Sequence, residues 1–449
     1  VTQVFALHTP YGLMTAIAAI DAGLVPPDDE RVLVPINSAA VPETNRGLDE
    51  SPQLRSLRNR FDRVVPLNPL LDPLHPTAWA PRETELPAWE RLLAHAWDLD
   101  PARLDLYVQT PQVAPTRTLL STFRRARITV IGDGLMTYAP VRTRLPRTIA
   151  GRVQSVLYPD VVPGLVPLLF AEVGAAPVAI PAPAFAAVVA EIDDASAERD
   201  HTPHGAPAAL VLGQYLAALG LVTVDEETAM QAEMVDRAVE HGARRIVFKP
   251  HPTAPPALAE SVHGRARRHG VAFEPYPGDA PAEVLTRRLD AVAVVAGFST
   301  ALPTVRALYG TPTEAVGNAT VLAALRPFEN SNRIPATIVD ATNRPDTAFA
   351  APGRLQHLVD AVGYCMQPRT AAHLRPRAEA LLDGLDPGER SRYFSARRLA
   401  ELRLPGAPRG MITHILIGTG GVGHAEEARL AMRGAGRRTR RAWKAVTGR

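Results

Sequence analysis

The sequence predicts an α/β protein with two parallel-sheet domains facing each other across a cleft, followed by a helical, basic C-terminal tail. Three observations carry that prediction. Short β-rich runs alternate with longer amphipathic ones from the start of the chain, and the alternation restarts after the polar stretch 200–207. Three of the apolar runs end in small polar motifs, Gly132-Asp133-Gly134, Lys249-Pro250-His251-Pro252 and Ser299-Thr300, each where a strand would hand over to a helix.

In the first series, 2–7, 31–36, 63–67, 104–108 and 128–131 read as strands, with helices expected near 11–22, 89–97 and 115–125. In the second, strands are expected at 208–212, 244–248, 271–276, 291–295 and 313–316, with helices at 225–241, 255–269, 281–289 and 301–309 between them. The most membrane-like stretch, 161–190, contains Pro163, Pro167, Pro177, Pro181, Pro183 and Glu172, so it reads as packed helices and loops between the domains. The expected division is 1–200, 201–385 and a C-terminal extension at 386–449.

Composition narrows the function. The chain has 449 residues, 46% hydrophobic and 21% charged, which suits a soluble globular protein with two or three sizeable cores. Its single cysteine, Cys365, excludes an intramolecular disulfide framework and a multi-thiolate metal site and fits a reducing compartment. The opening run has no charged leader and is interrupted by His8, so a cytoplasmic protein is expected. The net charge is only +3, and the base excess gathers at the end, in Arg433, Arg437, Arg438, Arg440, Arg441, Lys444 and Arg449. That tail, with Leu430, Met432, Trp443 and Val446, reads either as a solvated arm or as a contact to an anionic membrane surface. Too few aromatic residues interleave it for nucleic-acid stacking.

Each motif admits an ordinary and a chemical reading. Asp133 between two glycines is either a simple Asp-Gly turn or a carboxylate free to act as a general base. His251, fixed by Pro250 and Pro252, is either a packed loop residue or a ligand and proton donor for phosphate, with Lys249 adding positive potential. Ser299 and Thr300 before an apolar helix are either an N-cap or an anion site. Gly418-Thr419-Gly420-Gly421-Val422-Gly423 matches a dinucleotide-binding pattern, but the chain runs into its basic end instead of completing a βαβ unit, so a turn is expected.

Taken in order, these motifs resemble those of the bacterial polysialyltransferase and lipooligosaccharide sialyltransferase families, which carry an acid-acid-glycine, a His-Pro and a paired Ser-Ser/Thr. The likeness runs from about Val4 to about Asn318 and includes His8-Thr9-Pro10-Tyr11-Gly12, Leu212-Gly213-Gln214 and Pro281-Ala282-Glu283. The resemblance implies a GT-B fold of two Rossmann-like domains, the first binding acceptor and the second a CMP-activated donor. It implies that Asp133 is the catalytic base and that His251 contacts the donor phosphate and protonates it. Lys249, Pro252, Gln214, Ser299 and Thr300 fall on the donor side, and Glu283 contacts ribose or cytosine. Gly132 stands where the family has its first acid, while Gly134 keeps the glycine.

The implied activity is transfer of sialic acid or a related nonulosonic acid from its CMP ester to a glycan or glycolipid hydroxyl, with inversion and without a divalent metal or other cofactor. A CMP-Kdo or CDP-glycerol-type transferase would need nearly the same donor site. A non-catalytic two-lobed nucleotide-binding protein is the reading from another class.

Overall fold

The computed structural model describes residues 1–27, 30–39, 41–195, 205–251, 256–344, 347–349 and 351–407. The chain forms two compact units, Val1–Gly384 and a second that begins at Leu385. Pro252, the glycine-rich pattern at 418–423 and the basic tail lie outside the described residues.

The first unit contains two sheets. Strands β1 (Thr2–Leu7), β2 (Glu30–Pro35), β3 (Arg63–Val64), β4 (Leu104–Val108), β5 (Arg127–Ile131), β6 (Val153–Pro159) and β7 (Ala176–Ile180) are ordered β3-β2-β1-β4-β5-β6-β7. Strands β8 (Ala208–Leu212), β9 (Arg245–Lys249), β10 (Ala272–Pro275), β11 (Ala293–Ala296) and β12 (Thr313–Ala315) are ordered β10-β9-β8-β11-β12. All pairings in both sheets are parallel. The two α/β domains therefore share one plan: the first strand of each is central, flanked by its second and fourth. Strand order reverses there, and such switch points open a crevice beyond the carboxyl ends of the strands.

The central strands are apolar because both faces are covered. Phe5, Ala6 and Leu7 of β1 and all five residues of β8 are buried. Phe5 pairs in register with Leu33 and Tyr107, and its ring stacks on Tyr107 at 4.4 Å while meeting Phe61 edge-on at 5.3 Å. The segment expected to hold only helices and loops, 161–190, instead contributes β7, a correction with a local cause. At the sheet edge β7 needs partners on one side alone, so Pro177 is tolerated and Ala176, Pro177 and Ala179 need not be buried. Strand β6 also escaped the periodic reading, because Gln154 and Ser155 interrupt its apolar face.

Helices α1 (Pro10–Asp21), α2 (Arg55–Arg58), α3 (Asn68–Leu71), α4 (Leu86–Ala96), α5 (Thr116–Thr122), α6 (Arg147–Ala150) and α7 (Ala182–Ala195) accompany the first sheet. Helices α8 (Val224–Glu240), α9 (Pro256–Arg268), α10 (Ala282–Arg288) and α11 (Ala301–Tyr309) connect the strands of the second. Helix α7 packs on α1 of the first domain and on α10 and α11 of the second. Arg287 and Arg288 of α10 pair with Asp193 of α7 at 2.7 and 3.1 Å.

Four more helices, α12 (Asn318–Ala324), α13 (Arg333–Asn343), α14 (Pro352–Met366) and α15 (Arg375–Asp383), complete this unit. Two of them return to the first domain: α13 packs on the turn Gly134–Tyr138, and Gln356 of α14 accepts the Val166 N–H at 2.7 Å. In the second unit, α16 (Pro387–Tyr393) and α17 (Ala396–Leu402) are capped by Asp386 and Ser395. No helix among the described residues is long and apolar enough to cross a membrane.

Candidate active site

The predicted residues cluster at the carboxyl edges of the two sheets. On the first, β1 ends at Leu7 and passes through His8 to Thr9, the N-cap of α1. Thr9 Oγ1 accepts the Gly12 N–H at 3.0 Å, and Pro10 starts the helix where no amide is required. Gln109 closes the neighbouring β4. Its Oε1 accepts the N–H groups of His8 and Thr9 at 2.9 and 3.2 Å, and its Nε2 donates to Thr9 Oγ1 at 2.7 Å. Glycine at 12 leaves room for the Gln109 amide in this place, since a Cβ there would stand 2.4 Å from it.

Asp133 follows β5 and lies against this cluster. The side chains of Gln109 and Thr9 lie close to its carboxylate. Thr9 Oγ1 accepts from two N–H groups and so keeps its own hydroxyl proton to donate. Burial raises the Asp133 carboxyl above the ordinary carboxylate range, and the Gln109 and Thr9 side chains oppose that shift. Such an environment suits a group that must take a proton near neutral pH.

The flanking glycines answer two different constraints. Gly132 donates its N–H to Leu157 O at 2.8 Å, and a Cβ on it would meet that carbonyl at 2.9 Å and Thr137 Oγ1 at 2.8 Å. An acid therefore does not fit at 132 in this backbone. Gly134 has φ +53°, and a Cβ there would lie 2.6 Å from Thr300 Oγ1 and Cγ2. The Asp133 turn thus rests directly on the second domain, where Leu135 N–H donates to Thr300 Oγ1 at 3.2 Å.

On the second sheet, Gln214 follows β8 and accepts the Phe298 N–H at 2.8 Å, with Gly297 leaving room for its amide. Gln109 and Gln214 flank the two switch points from opposite strands: Gln109 follows the fourth strand of its domain and accepts from the turn after the first, whereas Gln214 follows the first strand and accepts from the turn after the fourth. Ser299 Oγ accepts the Ala301 N–H at 3.2 Å, so Ser299 rather than Thr300 serves the first turn of α11. Both hydroxyls act as acceptors in these bonds and keep a proton to donate.

Lys249 ends β9, donates to Gly278 O at 3.3 Å and lies 5.3 Å from the centre of the Tyr276 ring. Burial lowers its ammonium below the usual lysine range, against the pull of Asp279 and Glu283. Glu283 is buried near the start of α10, and burial pushes its carboxyl up while Lys249 opposes the shift. His251 is exposed just beyond β9, near Gly213, where a Cβ would come 3.5 Å from the His251 N. Partial desolvation holds its imidazole below the usual histidine range, and the Glu227 carboxylate acts in the other direction. Glu227 itself accepts the Leu216 and Ala217 N–H groups at 2.6 and 3.0 Å.

Gln109 and Thr304 escaped the sequence reading. A polar residue just after a mostly apolar strand was the available signal for Gln109, as it was for Gln214 one glycine beyond β8. Thr304 ends the first turn of α11 within an apolar run and has none. Tyr138 is buried with its ring edge-on to Tyr158 at 5.9 Å. Among the described residues, no group of three or more His, Cys, Asp or Glu is placed to hold a metal ion.

No curated protein matches this chain. Among solved structures, a sialyltransferase GT-B domain from Photobacterium damselae is similar at 12% identity over 75% of this chain and 95% of that one, with a TM-score of 0.38. A heptosyltransferase from E. coli is similar at 16% identity over 70% and 88%, with a TM-score of 0.33. A UDP-GlcNAc 2-epimerase from Neisseria meningitidis is similar at 9% identity over 83% and 94%, with a TM-score of 0.40. The sequence profile of the alpha-2,8-polysialyltransferase family matches residues 3–317, a span that contains Asp133, Lys249, His251, Glu283, Ser299 and Thr300. On that match the chain belongs to the alpha-2,8-polysialyltransferase family and is a glycosyltransferase of the sialyl- and polysialyl-transferring kind.

Proposed function

We propose that this enzyme transfers sialic acid or a related nonulosonic acid from its CMP ester to a glycan hydroxyl, with inversion at the anomeric carbon. Residues 1–200 would bind the acceptor and 201–385 the donor. The observation that carries the reading is the approach of the Asp133 turn to Thr300, with Leu135 N–H 3.2 Å from Thr300 Oγ1. It sets the turn that carries the half-buried Asp133 of one sheet against the hydroxyl pair of the other.

In this reaction Asp133 takes the proton of the acceptor hydroxyl as its oxygen attacks the anomeric carbon. The bond from that carbon to the phosphate oxygen breaks, and CMP leaves with the electron pair. Ser299 and Thr300 donate to the phosphate, and His251 donates a ring N–H that follows the developing charge. A neutral imidazole already carries one such N–H, and the arriving phosphate favours the protonated form. Lys249 supplies positive potential, and Glu283 lies within its electrostatic reach, where ribose or cytosine contacts are assigned. Gln214 holds the 297–299 turn that presents Ser299. Two hydroxyls, an imidazole and an ammonium stabilise a leaving phosphate without requiring a divalent ion. A glycolipid acceptor would bring the enzyme to the inner face of the cell membrane, with the basic tail as the surface contact.

The test is a donor panel of CMP-sialic acid, CMP-Kdo and CDP-glycerol with a glycan array, read by mass spectrometry. Turnover with CMP-sialic acid alone is expected. Turnover with only CMP-Kdo or CDP-glycerol would reassign the donor, and binding of CMP without turnover of any donor would reduce the protein to a binding module.

A further inference from the structure

A second side chain near the Asp133 cluster that reaches the second domain is Tyr11. It lies two residues beyond Thr9 in the first turn of α1, with its ring 5.2 Å from that of Phe185 in α7. Its hydroxyl is 3.4 Å from Thr304 Oγ1 in α11. Thr304 gives its only hydroxyl proton to Thr300 O at 2.8 Å, so the Tyr11 hydroxyl is the donor to Thr304. Thr300 is therefore reached from the first domain twice: through its carbonyl by way of Thr304 and Tyr11, and through its own Oγ1 by Leu135 N–H. The two arms start on either side of Asp133, at residues 11 and 135. Asp133 lies close to Thr9 on the first arm, and its own backbone continues into the second.

We propose that Tyr11 is a positioning residue, which fixes Asp133 relative to the Ser299-Thr300 turn through Thr304. This rests on the reading of Asp133 as base and Thr300 as phosphate ligand. The contact joins the two domains at the first turn of α11, so it acts on the distance between base and donor rather than on either alone. Tyr11 touches neither reacting atom. Burial and the neighbouring carboxyls of Glu283 and Asp133 keep its phenol protonated and so keep it a donor.

The test compares Tyr11→Phe, Thr304→Val, the double variant and Thr304→Ser in steady-state transfer from CMP-sialic acid. Tyr11→Phe keeps the ring against Phe185, and Thr304→Ser keeps the hydroxyl. Each hydroxyl-deleting variant should lose roughly tenfold in kcat with the donor KM unchanged, less than the hundredfold that a misplacement of about 1 Å can cost. The double variant should be no worse than either single one, and Thr304→Ser should restore turnover. Wild-type kcat in Tyr11→Phe, or losses that multiply in the double variant, would overturn the proposal. Asp133→Asn separates this from the underlying reading: retained turnover there defeats the base assignment, whatever Tyr11 does.

Discussion

Gly134 and Thr300 touch across the two domains so closely that a single added methyl would enter the space of the threonine side chain, at 2.6 Å from its Oγ1 and Cγ2. The position is doubly restricted, since φ is also +53°. Gly134→Ala should lose about 1–2 kcal/mol of stability to the left-handed backbone alone, and turnover should fall at least tenfold as the Asp133 turn is pushed from Thr300. Gly174→Ala is the control, because Gly174 has φ +78° with no atom within 4 Å of a Cβ. It should show a similar drop in melting temperature with turnover retained. Equal turnover in the two variants would show that the contact has no role in transfer.

Asp133 should oppose stability while serving function. Its folded pKa is raised, so the ionised form is disfavoured in the fold, and stability is lost as pH rises from the ordinary carboxylate value through the folded one. Asp133→Asn should therefore raise the melting temperature at pH 7 while abolishing transfer and leaving CMP affinity nearly intact. The gain should vanish in acid, below the ordinary carboxylate range. Calorimetric scans at several pH values check the first expectation and CMP titration the second. In the wild type, kcat/KM should rise with pH along a limb displaced upward from an ordinary aspartate.

Restoring the family's missing acid should harm the protein. At Gly132 a side chain meets Thr137, which can rotate, and the Leu157 carbonyl, which is held in the β5–β6 ladder. Gly132→Asp should cost about 1–3 kcal/mol by overpacking, with no gain in turnover. A variant as stable as wild type, measured by chemical denaturation, would show that the strand ends shift freely.

Acid should unfold the first domain through His8. Its half-buried ring lies between Ser38 and Thr116, and desolvation lowers its pKa to about 4. The unfolded chain binds the proton first, so stability present at pH 7 is lost as pH falls from about 6.5 towards about 4, by up to about 3 kcal/mol at the lower limit. His8→Gln should flatten the stability profile in that window. An unchanged profile would assign acid sensitivity elsewhere.

Much of this architecture is legible in residue order. Strands β1, β4 and β8 match their predicted runs to the residue, because a parallel strand covered on both faces is mostly apolar, with Gln3 and Asp105 the buried polar exceptions in β1 and β4. The edge strand β7 was not legible, since Pro177 and its exposed alanines carry no burial pattern. Asp133, Lys249, His251, Ser299 and Thr300 were recognisable because each closes an apolar run with a polar side chain.

The sequence by itself determined two βα series, their strand ends and the chemical kinds of residue placed there, since periodicity and turn chemistry are local properties of the chain. Tertiary structure alone decided which strand ends meet. Leu135 and Thr300 are 165 residues apart, and Tyr11 and Thr304 are 293 apart. Those pairs form only after both sheets have closed around their switch points and α7 has joined α1 to α10 and α11. The same closure explains Gly132 and Gly134: one leaves room for the Leu157 carbonyl and the other for Thr300, and neither neighbour is visible along the chain.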